Sequence, residues 1–212
     1  HRDLHSFPTR RSSDLILIIV VCAPAAYCMS RFKFRGAGLI QALIIIGLAI
    51  PNIMIVMPLF SIVSALNLSG THFTLIFLYT ACSVPYTTFF LLTFFKGIST
   101  SFEEAAAIDG CGPIQCFWKI MFPLAQPAIV TVSIFNFIGK WNEYFMALIF
   151  ANKSNLRPIG VGLYQTVTSM MNSGDWAGMF ASVVIVFIPT VVIYAFLSDK
   201  IISGVTAGGN KG

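Results

Sequence analysis

Residues 101–127 read SFEEAAAIDGCGPIQCFWKIMFPLAQP, a short polar island in a very apolar chain. Ser101 with Glu104 three residues later has the form of a capping box, so a helix is expected to start there. Glu103, Glu104, Ala105, Ala106 and Ala107 suit its first turns. Gly110 supplies a stop or a left-handed turn, and Pro113 fits the first position of a second helix. On that helix Ile114, Phe117, Trp118 and Met121 fall at i, i+3, i+4 and i+7, which predicts one apolar face. Pro123 and Pro127 punctuate the approach to the next apolar run. Two short helices joined by a glycine elbow, held between membrane spans, form a feature that a partner can grip. The plainer alternative is an interfacial helix pair with no partner.

The same residues resemble a known pattern. Glu104-Ala105-Ala106, then Asp109-Gly110, then Ile120 and Pro123 look like the EAA loop of ABC-importer permeases. The resemblance implies that the segment at about 100–123 is the coupling region that docks into a cleft on a cytoplasmic ATPase. It implies coupling roles for Glu103, Glu104, Ala105, Ala106, Asp109, Gly110, Ile114, Phe117, Ile120 and Pro123, with Ile114 and Phe117 packing the elbow into that cleft. Ala26-Tyr27 with Arg31-Phe32-Lys33, Leu156-Arg157-Pro158, and the closing 206–212 resemble the carbohydrate permeases of the maltose type. These matches are weak singly; with the EAA-like loop they cover nearly everything from Ile16 onward.

Composition agrees with a membrane protein. Of the 212 residues 57% are hydrophobic and 10% charged, and the mean hydropathy is +0.83. An average soluble domain carries about 25% charged residues. The net charge of +5 does not point to nucleic acid, because the basic residues flank apolar runs, where the positive-inside bias places them. Cys22, Cys28, Cys82, Cys111 and Cys116 form no Cys-x-x-Cys or Cys/His cluster, so packing is expected of them rather than metal or disulfide chemistry.

Residues 1–15 differ from the rest: polar, basic, rich in serine and without the apolar stretch of a signal peptide. Written back into codons, they resemble a common short-read sequencing adapter. The expectation is a non-native leader on a permease domain spanning 16–212. Ile16–Met29 is an apolar run of 14 residues, short of the ~20 that cross a bilayer, as in a truncated helix. From Gly36 to Phe95 there is no Asp, Glu, Lys or Arg. That stretch holds two spans, about Gly38–Leu66 and Phe73–Phe95, with a turn at Asn67–His72. Further spans are predicted at about Ala125–Phe150 and Met179–Leu197, with a helical piece at Ile159–Met171 in the loop between them. Arg31, Lys33, Arg35, Lys96, Lys119, Lys200 and Lys211 then fall inside, and Lys153 and Arg157 outside. The expected fold is all-α: a type I ABC-importer transmembrane domain with about five of the six spans common in that family.

No phosphate-binding loop, Gly-x-Ser-x-Gly or His-Glu-x-x-His occurs. His1 and His5 lie in the leader and His72 stands alone in a turn. An enzyme is not expected, nor a cofactor or metal in this chain; ATP and Mg belong on a partner ATPase. The one polar cluster inside a span is Asn136, Lys140, Trp141, Asn142, Glu143 and Tyr144. A mid-membrane Lys or Asp costs roughly 2.5–3.5 kcal/mol, and Glu is taken as similar. The apolar residues of the same span return about 0.3–0.6 kcal/mol each, nearly cancelling that cost. Lys140 and Glu143, at i and i+3, are placed to neutralise each other in part. Asn136, Lys140, Asn142 and Glu143, with Asn52 beside Pro51, are candidates for lining a solute path. An aromatic anchor at the outer interface is the competing reading.

The expected protein is a multi-pass subunit in a bacterial plasma membrane, the permease of an ATP-driven importer for a sugar or sugar-like solute. The resemblance implies a heterodimer with a second permease, a cytoplasmic ATPase dimer and an extracytoplasmic solute-binding protein. An ion-coupled secondary transporter or a passive channel subunit is the alternative; neither explains the two-helix island, and no internal repeat is visible.

Overall fold

A computed structural model describes the backbone of residues 7–151 and 158–209, and the side chains of 13–71, 73–151 and 158–198. The Leu156–Pro158 resemblance, Lys153, Arg157, the His72 side chain and much of the closing segment fall wholly or partly outside those limits. Among the described residues there is no strand. The helices are α1 (Phe7–Arg31), α2 (Ala37–Ala49), α3 (Asn52–Ala65), α4 (His72–Gly97), α5 (Ser101–Ile108), α6 (Pro113–Leu124), α7 (Gln126–Asn142), α8 (Phe145–Phe150), α9 (Ile159–Ser173) and α10 (Trp176–Gly209).

Among the described residues, three stretches are each long and apolar enough to cross a membrane alone: Ser13–Arg31, Phe73–Gly97 and Trp176–Ser198. Two broken pairs, α2 with α3 and α6 with α7, raise the number to at most 5. The expected run Gly38–Leu66 is therefore not one helix. It is interrupted at Ile50-Pro51, where Pro51 is extended (φ −62°, ψ 130°) because a proline ring cannot continue the hydrogen-bond ladder. Pro58, Pro85 and Pro189, by contrast, lie inside continuous helices. The apolar run Ile16–Met29 lies within the longer α1. The turn after α3 forms as expected, with Asn67 and Gly70 both at positive φ.

The chain divides into two compact units. One comprises 15–49, 81–135 and 199–212. Its core gathers Ile18, Cys22, Ala23, Ala26 and Tyr27 of α1, Leu91 and Phe95 of α4, and Met121, Ala125, Ala128 and Val132 of the α6–α7 region. Many of these are small. In lipid, close van der Waals approach rather than water exclusion holds helices together, and small side chains permit it. Tyr27 anchors the polar end of this core, its ring 5.6 Å from Phe95 and 5.1 Å from Phe117. The other unit comprises 1–14, 50–80 and 136–198. There α3 packs on α8, with Phe60 6.0 Å from Phe150, and α8 in turn meets α9.

Candidate functional site

The polar island forms the elbow that its sequence predicts, with two changes. The first concerns the start of α5. Ser101 is the first helical residue, Thr100 is the N-cap, and no side chain of Thr100 caps the helix. The Ser101 N–H instead donates to Ser99 Oγ at 3.3 Å. The expected Ser101–Glu104 capping box is absent because the helix begins one residue earlier, which leaves Glu103 and Glu104 in the first turn.

The end of α5 is as expected. Gly110 has φ +79°. Its N–H donates to Ala107 O at 3.1 Å, and the Cys111 N–H donates to Ala106 O at 2.9 Å. These are the two bonds of a Schellman ending, which satisfies the last carbonyls of the helix and needs a left-handed residue at that place. Gly112 and Pro113 then open α6, with proline in its first turn.

The second change concerns α6. Phe117–Met121 is a π-helical turn, in which the Phe122 N–H reaches back to Phe117 O. Pro123 explains the widening: it has no N–H to give and its ring would crowd the carbonyl four residues back. The wider turn splits the predicted apolar face. Cys116, Phe117 and Met121 are buried, whereas Ile114 is 78% exposed and Trp118 50%. Phe117 is therefore spent on the chain's own core, among Tyr27, Phe95 and Trp118. It is not free to enter a partner's cleft, and that expectation is corrected. Ile114 stays exposed, as do Ile108 (87%) and Phe102. Of the other coupling candidates, Glu104, Ala105, Asp109, Gly110 and Pro123 are exposed, Glu103 and Ile120 half-buried and Ala106 buried.

Arg31 joins the elbow to α1. Its Nε lies 2.8 Å from Glu103 Oε2, and its Nη2 donates to Ile98 O at 2.7 Å. The two charged side chains are only 10% and 19% exposed. One guanidinium thus ties the end of a span both to the start of the coupling helix and to the turn before it. In the sequence Arg31 reads as a marker of the inner face and as part of the maltose-type resemblance, not as the partner of Glu103. The acids of α5 signal that a base is wanted there, but nothing local says which base meets which acid.

The polar cluster is arranged differently from the expectation. The helix stops at Asn142 and restarts at Phe145, so Lys140 and Glu143 do not share a helical face. Lys140 Nζ pairs with Asp14 Oδ2 at 2.9 Å. Glu143 accepts the Tyr79 hydroxyl at 2.7 Å and the N–H groups of Met146 and Ala147. Glu143, one residue before the N-cap Tyr144, thus closes the start of α8 with its carboxylate. An acidic oxygen facing the orphan N–H groups of a helix start is the favourable arrangement. The partial neutralisation of Lys140 by Glu143 is not formed, because each finds a better partner elsewhere. Asn136 is buried; Asn52 and Asn142 are exposed.

Leucine at position 143 removes a hydroxyl contact and two capping bonds at once, which costs roughly 2–4 kcal/mol. Thermal unfolding of Glu143→Leu in detergent should show a clear loss, and Glu143→Gln, which keeps an acceptor oxygen, a smaller one. Equal melting of Glu143→Leu and parent would remove the capping role.

The family described as "binding-protein-dependent transport system inner membrane component" matches residues 16–206. Sulfoquinovosyl glycerol transport system permease protein SmoH of Agrobacterium fabrum is 35% identical over 92% of this chain and 68% of its own length. Diacetylchitobiose uptake system permease protein NgcG of Streptomyces coelicolor is 32% identical over 92% of this chain and 65% of its own. Trehalose/maltose transport system permease protein MalG of Thermococcus litoralis is 34% identical over 92% and 69%. A chain in the crystal structure of a bacterial ABC transporter involved in the import of the acidic polysaccharide alginate superimposes with TM-score 0.77 at 24% identity. The match covers 89% of this chain and 70% of that one.

Proposed function

This chain belongs to the family of binding-protein-dependent transport system inner membrane components, and from this we propose that it is the permease subunit of an ATP-driven importer for a sugar or sugar-like solute. It is a multi-pass membrane protein, as that family and its apolar helices require. Membership brings an ATPase and a solute-binding protein as partners in general. The finer assembly we propose is a second, different permease, an ATPase dimer in the cytoplasm and a binding protein outside. The ligand class is supported by the relatives named for sulfoquinovosyl glycerol, diacetylchitobiose and trehalose/maltose transport.

The observation that carries the mechanism is the elbow. Ile108 and Ile114 project from its two sides at 87% and 78% exposure, with Gly110 turning the chain between them. Exposed branched aliphatics on a fixed turn are what a cleft on a cytoplasmic partner would bury. Glu104 and Asp109, also exposed, supply acidic groups beside them. Closure of the ATPase dimer around ATP would move the elbow, and the Arg31–Glu103 pair would pass that displacement to α1. ATP and Mg are assigned to the partner, and this chain does no chemistry of its own. Solute passage past Asn52, Asn136, Lys140 and Asn142 completes the reading; Glu143 acts there as a support, tied to Tyr79 and to the start of α8.

The test is reassembly. The chain, a second permease, an ATPase and a binding protein should together hydrolyse ATP in response to at least one of a panel of sugars and import that sugar. The purified chain alone should show no turnover. Hydrolysis by the chain alone, or uptake that persists without the ATPase, would overturn the reading.

A further inference from the structure

Where α7 breaks, the chain builds a recess of about 350 Å³, lined among others by Trp141, Asn142, Tyr144, Leu163, Tyr164 and Val186. Small-molecule sites run from about 300 to 1,000 Å³. Tyr144 and Tyr164 stack at 5.6 Å with 21° between their planes, and both are nearly half exposed. Trp141 is fixed by its indole N–H, which donates to Val186 O at 3.2 Å, and by stacking on Phe137 at 5.9 Å. The floor is equally fixed. At Gly160 an added Cβ would stand 2.9 Å from Glu143 O and 3.1 Å from Tyr144 Cβ, so only glycine lets α9 come this close. Glu143 itself is held by Tyr79 and by the start of α8.

We propose that this recess is a subsite for a neutral sugar ring, with Tyr144, Tyr164 and Trp141 as its aromatic walls and Asn142 as its polar contact. A pyranose carries one face of C–H groups, whose positive edge suits the negative face of an aromatic ring. Its hydroxyls need both donors and acceptors, and one carboxamide supplies both. Among the described residues none of those lining the recess is charged, so they offer an ionic ligand no counter-charge for its lost hydration. An aromatic anchor at the bilayer interface needs neither a concave wall nor an amide within it. The choice of ligand class rests on the reading of the chain as a sugar importer's permease; the recess itself does not.

The experiment uses the assembled importer in lipid nanodiscs without its binding protein. Maltose, trehalose and diacetylchitobiose are titrated by saturation-transfer NMR, with sorbitol as a polyol that has hydroxyls but no ring face. At least one ring sugar should bind and sorbitol should not. Tyr164→Ala should weaken that binding about tenfold, while Tyr164→Phe, which keeps the ring, stays near the parent. Asn142→Ala should weaken it severalfold. An importer that takes up a ring sugar yet binds it equally well with Tyr164→Ala leaves the recess an interfacial anchor and overturns the proposal. An importer that takes up no sugar but binds ring sugars through Tyr164 keeps the subsite and overturns the proposed function instead.

Discussion

Uptake by an importer carrying Gly110→Val should fall roughly 5- to 30-fold while the chain still inserts into the membrane. Gly110 sits at φ +79°, which lets its own N–H and that of Cys111 make the two backbone bonds at the end of α5. A residue with a Cβ pays roughly 1–2 kcal/mol in that region, and a β-branched one sits at the upper end. That energy is the stated factor in the ratio of formed to unformed elbow, and uptake follows it where docking depends on an elbow that opens and re-forms. No atom lies within 4 Å of where the new Cβ would stand, so the effect acts through the backbone and not through a clash inside the chain. Asparagine tolerates the left-handed region, so Gly110→Asn should retain most of the uptake. The measurements are co-purification of the ATPase and uptake per copy of inserted permease. Normal docking and normal uptake with Gly110→Val would mean that the elbow is an interfacial helix pair and not a coupling element.

The second large effect concerns Arg31 and Glu103. Removing one partner of a mostly buried ion pair strands the other and costs about 3–5 kcal/mol, so Arg31→Ala or Glu103→Leu alone should destabilise the chain strongly. Replacing both by apolar groups of similar size, Arg31→Met with Glu103→Leu, should be near neutral for folding. That double variant is the informative one. If the pair carries displacement from the elbow to α1, the double variant should fold, hold the ATPase and hydrolyse ATP, yet import little. Arg31→Lys should fall between, because one ammonium cannot serve both the carboxylate and the Ile98 carbonyl in the geometry of the guanidinium fork. Import at the parent's rate by the double variant would reduce the pair to scaffolding.

Part of this architecture is legible in the amino-acid order alone. Ile108, Gly110 and Pro113 announce the elbow because helix stops, left-handed turns and first-turn prolines depend on a few adjacent residues. The three unbroken spans, at Ser13–Arg31, Phe73–Gly97 and Trp176–Ser198, are legible for a related reason. A bilayer selects on the length of an uncharged apolar run, which is a property of the sequence itself. The same local logic places α9 within two residues of its observed end and sets the turn at Asn67 and Gly70.

Other features need the packed chain. The period of α6 predicts one apolar face, but Pro123 widens the turn before it, and only tertiary contacts show that Phe117 goes inward and Ile114 outward. Lys140 and Glu143 look like partners because they are neighbours in sequence. Asp14 and Tyr79 lie far away along the chain, and no local rule ranks them against the near neighbour. Arg31 and Glu103 are the same case: each charge is visible in the sequence, and their meeting is not. The physical reason is that caps, turns and apolar runs are decided by the backbone and solvent around a few residues. Which charge meets which, and which rings wall a recess, is decided by how distant helices pack, where a shift of one side chain changes the partner.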